Sequence, residues 1–249
     1  MNLIFAHEPF PIAGTSSVFL AGPTPRAKSG EAPKPSWRQD ALILFEKKGY
    51  KGDICIPEPR EGWKDDYDGQ VDWEIEGRKR SDIILFYVPR ELQTLPAFTT
   101  NVEFGEDLTT GKALYGRPDD APKNKYLDSL WKRSGHEHPD TTLEALVDRT
   151  LDIIGHGAQR EGPARWVPLW IWEHKPFQDW LTHQTAHGFE IDRFEVQTTL
   201  RNGPGPRNVT GWVANVRQSW REHGGVLKTQ NGVLFCQGDE VFAHKLLQD

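Results

Sequence analysis

Short unbroken apolar runs alternate with longer amphipathic segments over the first 155 residues. The runs predict strands at 17–21, 53–56, 83–88 and 113–115, several of them ended by turn residues such as Gly22-Pro23. Helical spacing predicts one helix that begins after Ser36 and further helices at 70–80, 99–112, 125–133 and 141–154. This alternation predicts an α/β fold of the flavodoxin or Rossmann kind, an open and mainly parallel sheet with helices on both faces.

The pattern changes after Ile154. A Gly-rich charged stretch follows, and the rest of the chain is rich in Trp. Here the spacing predicts a strand at 166–172, a helix at 176–187 and β segments at 194–200, 209–216 and 226–236, with Asn231-Gly232 as a hairpin turn. We therefore expect one domain over residues 1–155 and a smaller β-rich module over residues 163–249.

The charge distribution argues against a large anionic partner. The net charge is −6, with 21 Lys and Arg against 27 Asp and Glu before Pro163 and 9 against 9 from there on. Neither part has the basic surface that duplex nucleic acid requires. No apolar run approaches the ~20 residues that cross a bilayer, so we expect no membrane partner.

The N-terminus and the cysteines indicate a cytoplasmic protein. The first residues lack the basic region of a signal peptide. Cys55 and Cys236 lie far apart, which predicts buried free thiols rather than a metal site or a disulfide. The chain has no dinucleotide or P-loop fingerprint, and we expect no cofactor.

Glu103 has two interpretations. Thr100, Asn101, Val102 and Glu103 fit the capping box, in which the glutamate bonds back to the helix start. Alternatively, Glu103 lies beside the carboxyl end of a strand, where α/β sheets bind ligands, and Val102 and Phe104 limit its solvation. A poorly solvated carboxylate is a nucleophile suited to an electrophilic sugar carbon.

Four blocks in order resemble the nucleoside 2-deoxyribosyltransferase-like family. They are FLAGPTPR, a helix that begins SWR, SDIILFYVP, and PAFTTNVEFG, and the resemblance covers about residues 15–155. It implies a flavodoxin-like fold, and cleavage of the N-glycosidic bond of a deoxynucleoside or nucleotide by a glutamate nucleophile, which Glu103 matches. It also implies a homo-oligomer whose subunits complete each other's pockets.

The loop after the first strand is the second candidate region. Gly22 and Pro23 are either a plain turn or, as the resemblance implies, part of the pocket lining, where Gly22 lets the backbone approach the ligand. Arg26 in the same loop is a candidate for a 5′-phosphate, which would make the substrate a nucleotide. Asn101 could donate a hydrogen bond to a sugar hydroxyl.

The family also has a substrate-orienting aspartate near its third strand. Asp82 is the loose match, and Asp72 and Glu74 are alternatives. Trp73 is either the buried tryptophan of a surface helix or a platform on which a base stacks. The loop before the Glu103 helix contains Glu91 as its only acid, whereas family transferases often have an aspartate there.

The residues and the resemblance together predict an enzyme that cleaves or transfers at the N-glycosidic bond of a small nucleoside or nucleotide. We expect it to need no metal or cofactor. It is a transferase if a second base resolves the glycosyl-enzyme ester, and a hydrolase if water does. The alternative is a non-catalytic module that binds or senses a nucleotide.

Overall fold

The computed structural model describes residues 1–11, 14–27, 32, 34–63, 65–156, 159–160, 167, 169–172, 174–201, 209–222, 224–238 and 240–245. In the first part of the chain the strands and helices follow one another in this order: β1 (Asn2–Phe5), β2 (Gly14–Thr15), β3 (Ser17–Ala21), α1 (Trp37–Lys47), β4 (Asp53–Ile56), α2 (Tyr67–Arg80), β5 (Ile83–Tyr87), α3 (Phe98–Asp107), β6 (Ala113–Gly116), α4 (Lys125–Arg133) and α5 (Leu143–Ile154). A 3₁₀ turn at Leu108–Thr110 follows α3 directly.

Five of these strands form a parallel sheet in the order β1-β4-β3-β5-β6. β3 lies between β4 and β5, so the chain leaves β3 toward one side of the sheet and returns to its other side. The loops at the carboxyl ends of β3 and β5 therefore diverge. In an open α/β sheet such a switch point leaves a crevice for a ligand.

The unbroken apolar runs reflect cover on both faces of the sheet. In β5, Ile83 and Leu85 face one core, formed with α1 and α5, whereas Ile84 and Phe86 face a second core, formed with α2, α3 and α4. Successive side chains of a strand point to opposite faces, so a strand between two helical layers has no polar position. The predicted α/β fold class is confirmed.

The C-terminal part is an antiparallel sheet with helices on one face. After the short pair β2–β7 (β7, Gln159–Arg160) come α6 (Leu169–Trp172), α7 (Lys175–Ala186), β8 (Glu190–Arg201), β9 (Val209–Arg221), β10 (Leu227–Gln237) and β11 (Glu240–Lys245). The sheet order is β11-β10-β9-β8. Phe177 of α7 packs on Phe194 and Trp212 of the sheet in a separate apolar core.

Two local predictions in this part are wrong. Residues 169–172 form helix α6 instead of a strand, while Trp166 and Pro168 lie outside the described residues. A short apolar run carries no periodicity that separates a buried helix from a buried strand. Asn231-Gly232 does not turn the chain: both residues lie within β10, paired with Arg217 and Val216 of β9. The chain reverses at Gly224-Gly225 and at Gly238 instead, where the backbone φ angles are positive.

The remaining predictions concern the cysteines, membrane-spanning helices, the domain division and the location of the protein. Both cysteines are buried thiols that form no disulfide, as predicted. Across the described residues, no helix has the length and apolar character to cross a membrane. The division of the chain at residues 155 and 163 and the cytoplasmic location stay predictions.

Candidate active site

A cavity of about 330 Å³ lies at the carboxyl ends of β3 and β4, beside the start of α3. Its walls come from four segments: residues 21–26 after β3, Pro57 after β4, Glu74 of α2, and residues 96–99 with Glu103 of α3. Phe19, Arg38 and Trp63 complete the lining. The cavity therefore occupies the crevice that the strand order creates.

Arg38 holds the loop after β3 in place. This arginine is buried on the first turn of α1, and it donates from Nε to the Leu20 carbonyl (2.9 Å) and from Nη2 to the Gly22 carbonyl (2.6 Å). Its Nη1 donates to Thr24 Oγ1 and pairs with Glu58. Burial lowers the pKa of Arg38, and the Glu58 carboxylate counters this effect. The loop that lines the cavity is thus fixed by charge-assisted hydrogen bonds.

Gly22 is required by the packing of the protein itself. Its φ of +146° is unfavourable for a residue with a side chain. A Cβ here would lie 2.3 Å from the Tyr87 carbonyl oxygen and 2.8 Å from the Trp37 ring. The packing against Tyr87 and Trp37 therefore accounts for a glycine here without a ligand, and the approach of its backbone to a substrate stays a prediction. The Trp37 indole also donates to the Pro23 carbonyl at 3.0 Å.

Glu103 is not a capping residue. Helix α3 begins at Phe98 after Ala97, which has left-handed backbone angles and makes no side-chain cap. Glu103 is therefore in the second turn, and the capping-box alternative is wrong. Val102 is 63% exposed and does not shield Glu103, whereas Phe104 is buried in the core behind α3. Neighbours one position apart on a helix point in different directions, so neither flanking residue sets the solvation of the carboxylate.

The surroundings of Glu103 come mainly from α2. Its carboxylate oxygen Oε1 lies 3.4 Å from Nη1 of Arg78, and the Glu74 carboxyl lines the same cavity. Burial and the negative charge of Glu74 raise the pKa of Glu103 from 4.5 to about 7, while Arg78 acts in the opposite direction. Two carboxyls that face one cavity and differ in environment can hold one proton between them near neutral pH.

Aromatic and basic side chains surround the cavity mouth. Trp63 and Phe98 line it and are 60% and 68% exposed, although large apolar side chains are usually buried. Arg26 lines the same opening, and its backbone N–H donates to the Thr94 carbonyl at 2.8 Å. The opening therefore combines flat apolar surfaces with a positive charge.

Residues 15–121 match the family model of the nucleoside 2-deoxyribosyltransferase-like proteins. This range contains each of the residues that line the cavity. The resemblance seen in the sequence is confirmed there, and its extension to about residue 155 stays a prediction. None of the curated proteins matches the chain.

The structure brings together four of the residues that the family resemblance or the sequence suggested. Gly22, Pro23, Arg26 and Glu103 line one cavity, although 77 positions separate Arg26 from Glu103 in the chain.

Three other candidates do not line the cavity. Asp82, at the amino end of β5, accepts hydrogen bonds from the backbone N–H and the hydroxyl of Ser17. The Trp73 ring is buried, stacks on Phe10 at 5.1 Å and donates to the Glu8 carbonyl. The Asn101 side chain accepts a hydrogen bond from Arg90.

Sequence reasoning offered Glu74 only as an alternative and missed several other residues of the site. Glu74 was one alternative to Asp82, and the structure places it in the cavity. Arg38 directly follows the Ser-Trp pair that contributed to the resemblance, and Arg78 follows Glu74 by one helical turn. Each of these two arginines has a recognisable position, but only the folded chain shows what it contacts. For Trp63 and Phe98 the sequence carried no signal.

Proposed function

We propose that the protein cleaves the N-glycosidic bond of a (2′-deoxy)nucleoside or nucleotide, with Glu103 as nucleophile. The Glu103 carboxylate attacks C1′, the bond from C1′ to the base nitrogen breaks, and its electron pair leaves with the base. An ester between the sugar and Glu103 results. The pair of carboxyls in one cavity, Glu103 and Glu74, is the observation that carries this proposal.

Glu74 is the proton donor and acceptor in this scheme. The leaving base needs a proton, whereas the nucleophile must be ionised. Transfer of the shared proton across the contact gives an ionised Glu103 and a protonated Glu74, which donates to the base. The incoming base or water then returns a proton to Glu74 when it attacks C1′. Glu91 has no part, because its carboxylate accepts from the Thr94 hydroxyl and does not line the cavity.

The cavity mouth supports a nucleobase and, in a nucleotide, a phosphate. Trp63 and Phe98 offer flat surfaces on which any base can stack. Arg26 offers a charge-assisted partner for a 5′-phosphate, which favours a nucleotide over a nucleoside.

Transfer to a second base is the reaction that the family description favours. Hydrolysis follows if water reaches C1′ of the ester before a base does. The sensing alternative relied on the lack of an aspartate in the loop before α3. Glu74 can act as the proton donor instead, which argues against that alternative. Self-association into a homo-oligomer stays a prediction.

The test is incubation of the protein with deoxynucleosides, ribonucleosides and their 5′-monophosphates, with and without a second free base, followed by chromatography. We expect release of base, which depends on Glu103 and is lost in Glu103→Gln. Glu76→Gln, on the exposed side of α2 and paired with Arg80, is the matched control. Mass spectrometry of a quenched reaction should show the glycosyl ester on Glu103.

Each result separates the alternatives. A new nucleoside in the presence of a second base indicates a transferase, and free sugar or sugar phosphate indicates a hydrolase. A selective loss of 5′-monophosphate turnover in Arg26→Gln assigns the phosphate to Arg26. No base release from any compound, combined with a raised melting temperature in its presence, would contradict the proposal and favour a binding protein.

A further inference from the structure

Arg78 connects the two helices that carry the carboxyl pair. It lies on α2, one turn after Glu74, and its side chain is buried. From there it reaches three carboxylates of α3. Its Nη1 lies 3.4 Å from Glu103, its Nη2 lies 3.2 Å from Glu106, and its Nε lies 2.7 Å from Asp107 in an ion pair without hydrogen-bond alignment.

The backbone beneath Arg78 is also fixed. The Lys112 side chain is buried next to β6 and donates from Nζ to the carbonyls of Arg78 (2.7 Å) and Lys79 (2.8 Å), at the end of α2. Burial lowers the pKa of Lys112 to about 8, and the negative charge of Asp107 counters this effect. A guanidinium held at its backbone and at three oxygens has little freedom to move, since its planar fork is rigid.

We propose that Arg78 is the positioning residue of the site: it holds the Glu103 carboxylate in place between the cavity and Glu74. This inference rests on the proposed function, in which Glu103 is the nucleophile. Arg78 does not itself line the cavity, so it acts on the substrate only through Glu103.

Arg78 also affects the pKa of Glu103, because it is a cation among acidic side chains. Burial, Glu74 and Asp107 raise the pKa of Glu103, and Arg78 is the cation that lowers it. Without Arg78 the carboxyl would keep its proton to higher pH and would be available as a nucleophile less often. The charged groups that face Glu103 from the elements packed around it are Glu74 and Arg78 of α2, Glu106 and Asp107 of α3, Arg38 of α1 and Arg26 of the loop after β3.

The experiment compares Arg78→Gln and Arg78→Lys with wild type. Arg80→Gln is the control, because Arg80 is exposed on the same helix and pairs with Glu76. Two readouts are needed: the pH profile of base release, and the titration of the Glu103 carboxyl by carbon-13 NMR, assigned by its loss in Glu103→Gln. The NMR titration does not depend on turnover, so it tests Arg78 even if the panel of nucleosides reveals no activity.

We expect Arg78→Gln to move the Glu103 midpoint up by about one pH unit or more and to lower kcat at pH 7 by about tenfold, with little change in KM. Arg78→Lys keeps the charge but lacks the fork, and we expect an intermediate kcat and a midpoint close to wild type. Arg80→Gln should leave both readouts unchanged.

An unchanged Glu103 midpoint in folded Arg78→Gln would overturn the proposal, as would a loss of melting temperature without any change in kcat or midpoint. If Arg78→Gln does not fold, Arg78→Lys decides: wild-type kcat in that variant would show that the fork does not position Glu103. Absence of base release in wild type, together with a shifted midpoint in Arg78→Gln, would contradict the proposed function while supporting the contact.

Discussion

Glu103 on α3 and Glu74 on α2 line the same cavity, and the negative charge of Glu74 acts on the Glu103 carboxyl. The two residues are 29 positions apart in the chain, and each helix presents its glutamate at the carboxyl-end edge of the parallel sheet. Burial, and after it the negative charge of Glu74, raise the pKa of Glu103 to about 7.

Removal of the Glu103 charge should stabilise the protein at high pH. The pKa of this carboxyl rises from 4.5 to about 7 in the folded protein, so the unfolded chain loses its proton first. Stability therefore falls as the pH rises from about 4.5 to 7, and the penalty is complete above pH 7. We expect Glu103→Gln to raise the free energy of unfolding by roughly 1–3 kcal/mol at pH 8 and by much less at pH 5.

Urea unfolding of wild type and Glu103→Gln at both pH values measures this difference. Glu76→Gln should show no comparable pH-dependent gain. Equal effects of Glu103→Gln at pH 5 and pH 8 would show that the carboxyl is not held in its protonated form.

Glu74 affects base release in two ways in this scheme, through its charge beside Glu103 and as the proton donor. Substitution of Glu74 should separate these two effects. In Glu74→Gln the side chain can still accept from Gln70 Nε2, which lies 2.6 Å from the Glu74 oxygen, so the local structure should persist. The pKa of Glu103 should fall below about 7 because the facing negative charge is gone. The loss of the proton donor should lower kcat by about 10²–10⁴-fold.

The check is kcat as a function of pH, with the acid limb expected at lower pH than in wild type. Bases that leave without protonation should be affected least. An acid limb that stays in place would mean that the two carboxyls do not interact.

The exposed aromatic rings at the cavity mouth should contribute to substrate binding and not to stability. We expect Trp63→Ala and Phe98→Ala each to raise KM by about tenfold, the equivalent of one stacked base. Melting temperatures should change little, because both rings are exposed in the free protein. Tyr126→Ala, which removes an equally exposed ring from α4, serves as control. A KM close to wild type in both variants would remove these rings from the binding site.

Two glycines near the site should respond in opposite ways to alanine. Gly22→Ala forces a Cβ against the Tyr87 carbonyl at a positive φ, so we expect a loss of about 2–4 kcal/mol in the free energy of unfolding. Gly105→Ala lies within helix α3 with open space around the new methyl group, and we expect a gain of about 0.5–1 kcal/mol. Thermal unfolding measures both. A well-tolerated Gly22→Ala would mean that the turn at the cavity can relax.

The sequence by itself determined the layered α/β domain. The runs at 17–21 and 83–88 have no polar position because both faces of the sheet are covered, and this property is local to each run. Ser36 as the cap of α1 and the placement of Glu103 on the first helix after the central strand were also readable in order along the chain.

Only the tertiary structure decided the chemistry of Glu103. Whether that carboxylate caps its helix or faces a cavity depends on where α3 starts, which Ala97 fixes through a backbone conformation that no side-chain pattern records. Its partners Glu74 and Arg78 come from another helix. Likewise, Asn231-Gly232 stays in a strand because β9 pairs along the whole length of β10. Contacts between segments that lie far apart in the chain decide these conformations and the surroundings of Glu103. A sequence pattern reports only the preferences of neighbouring residues.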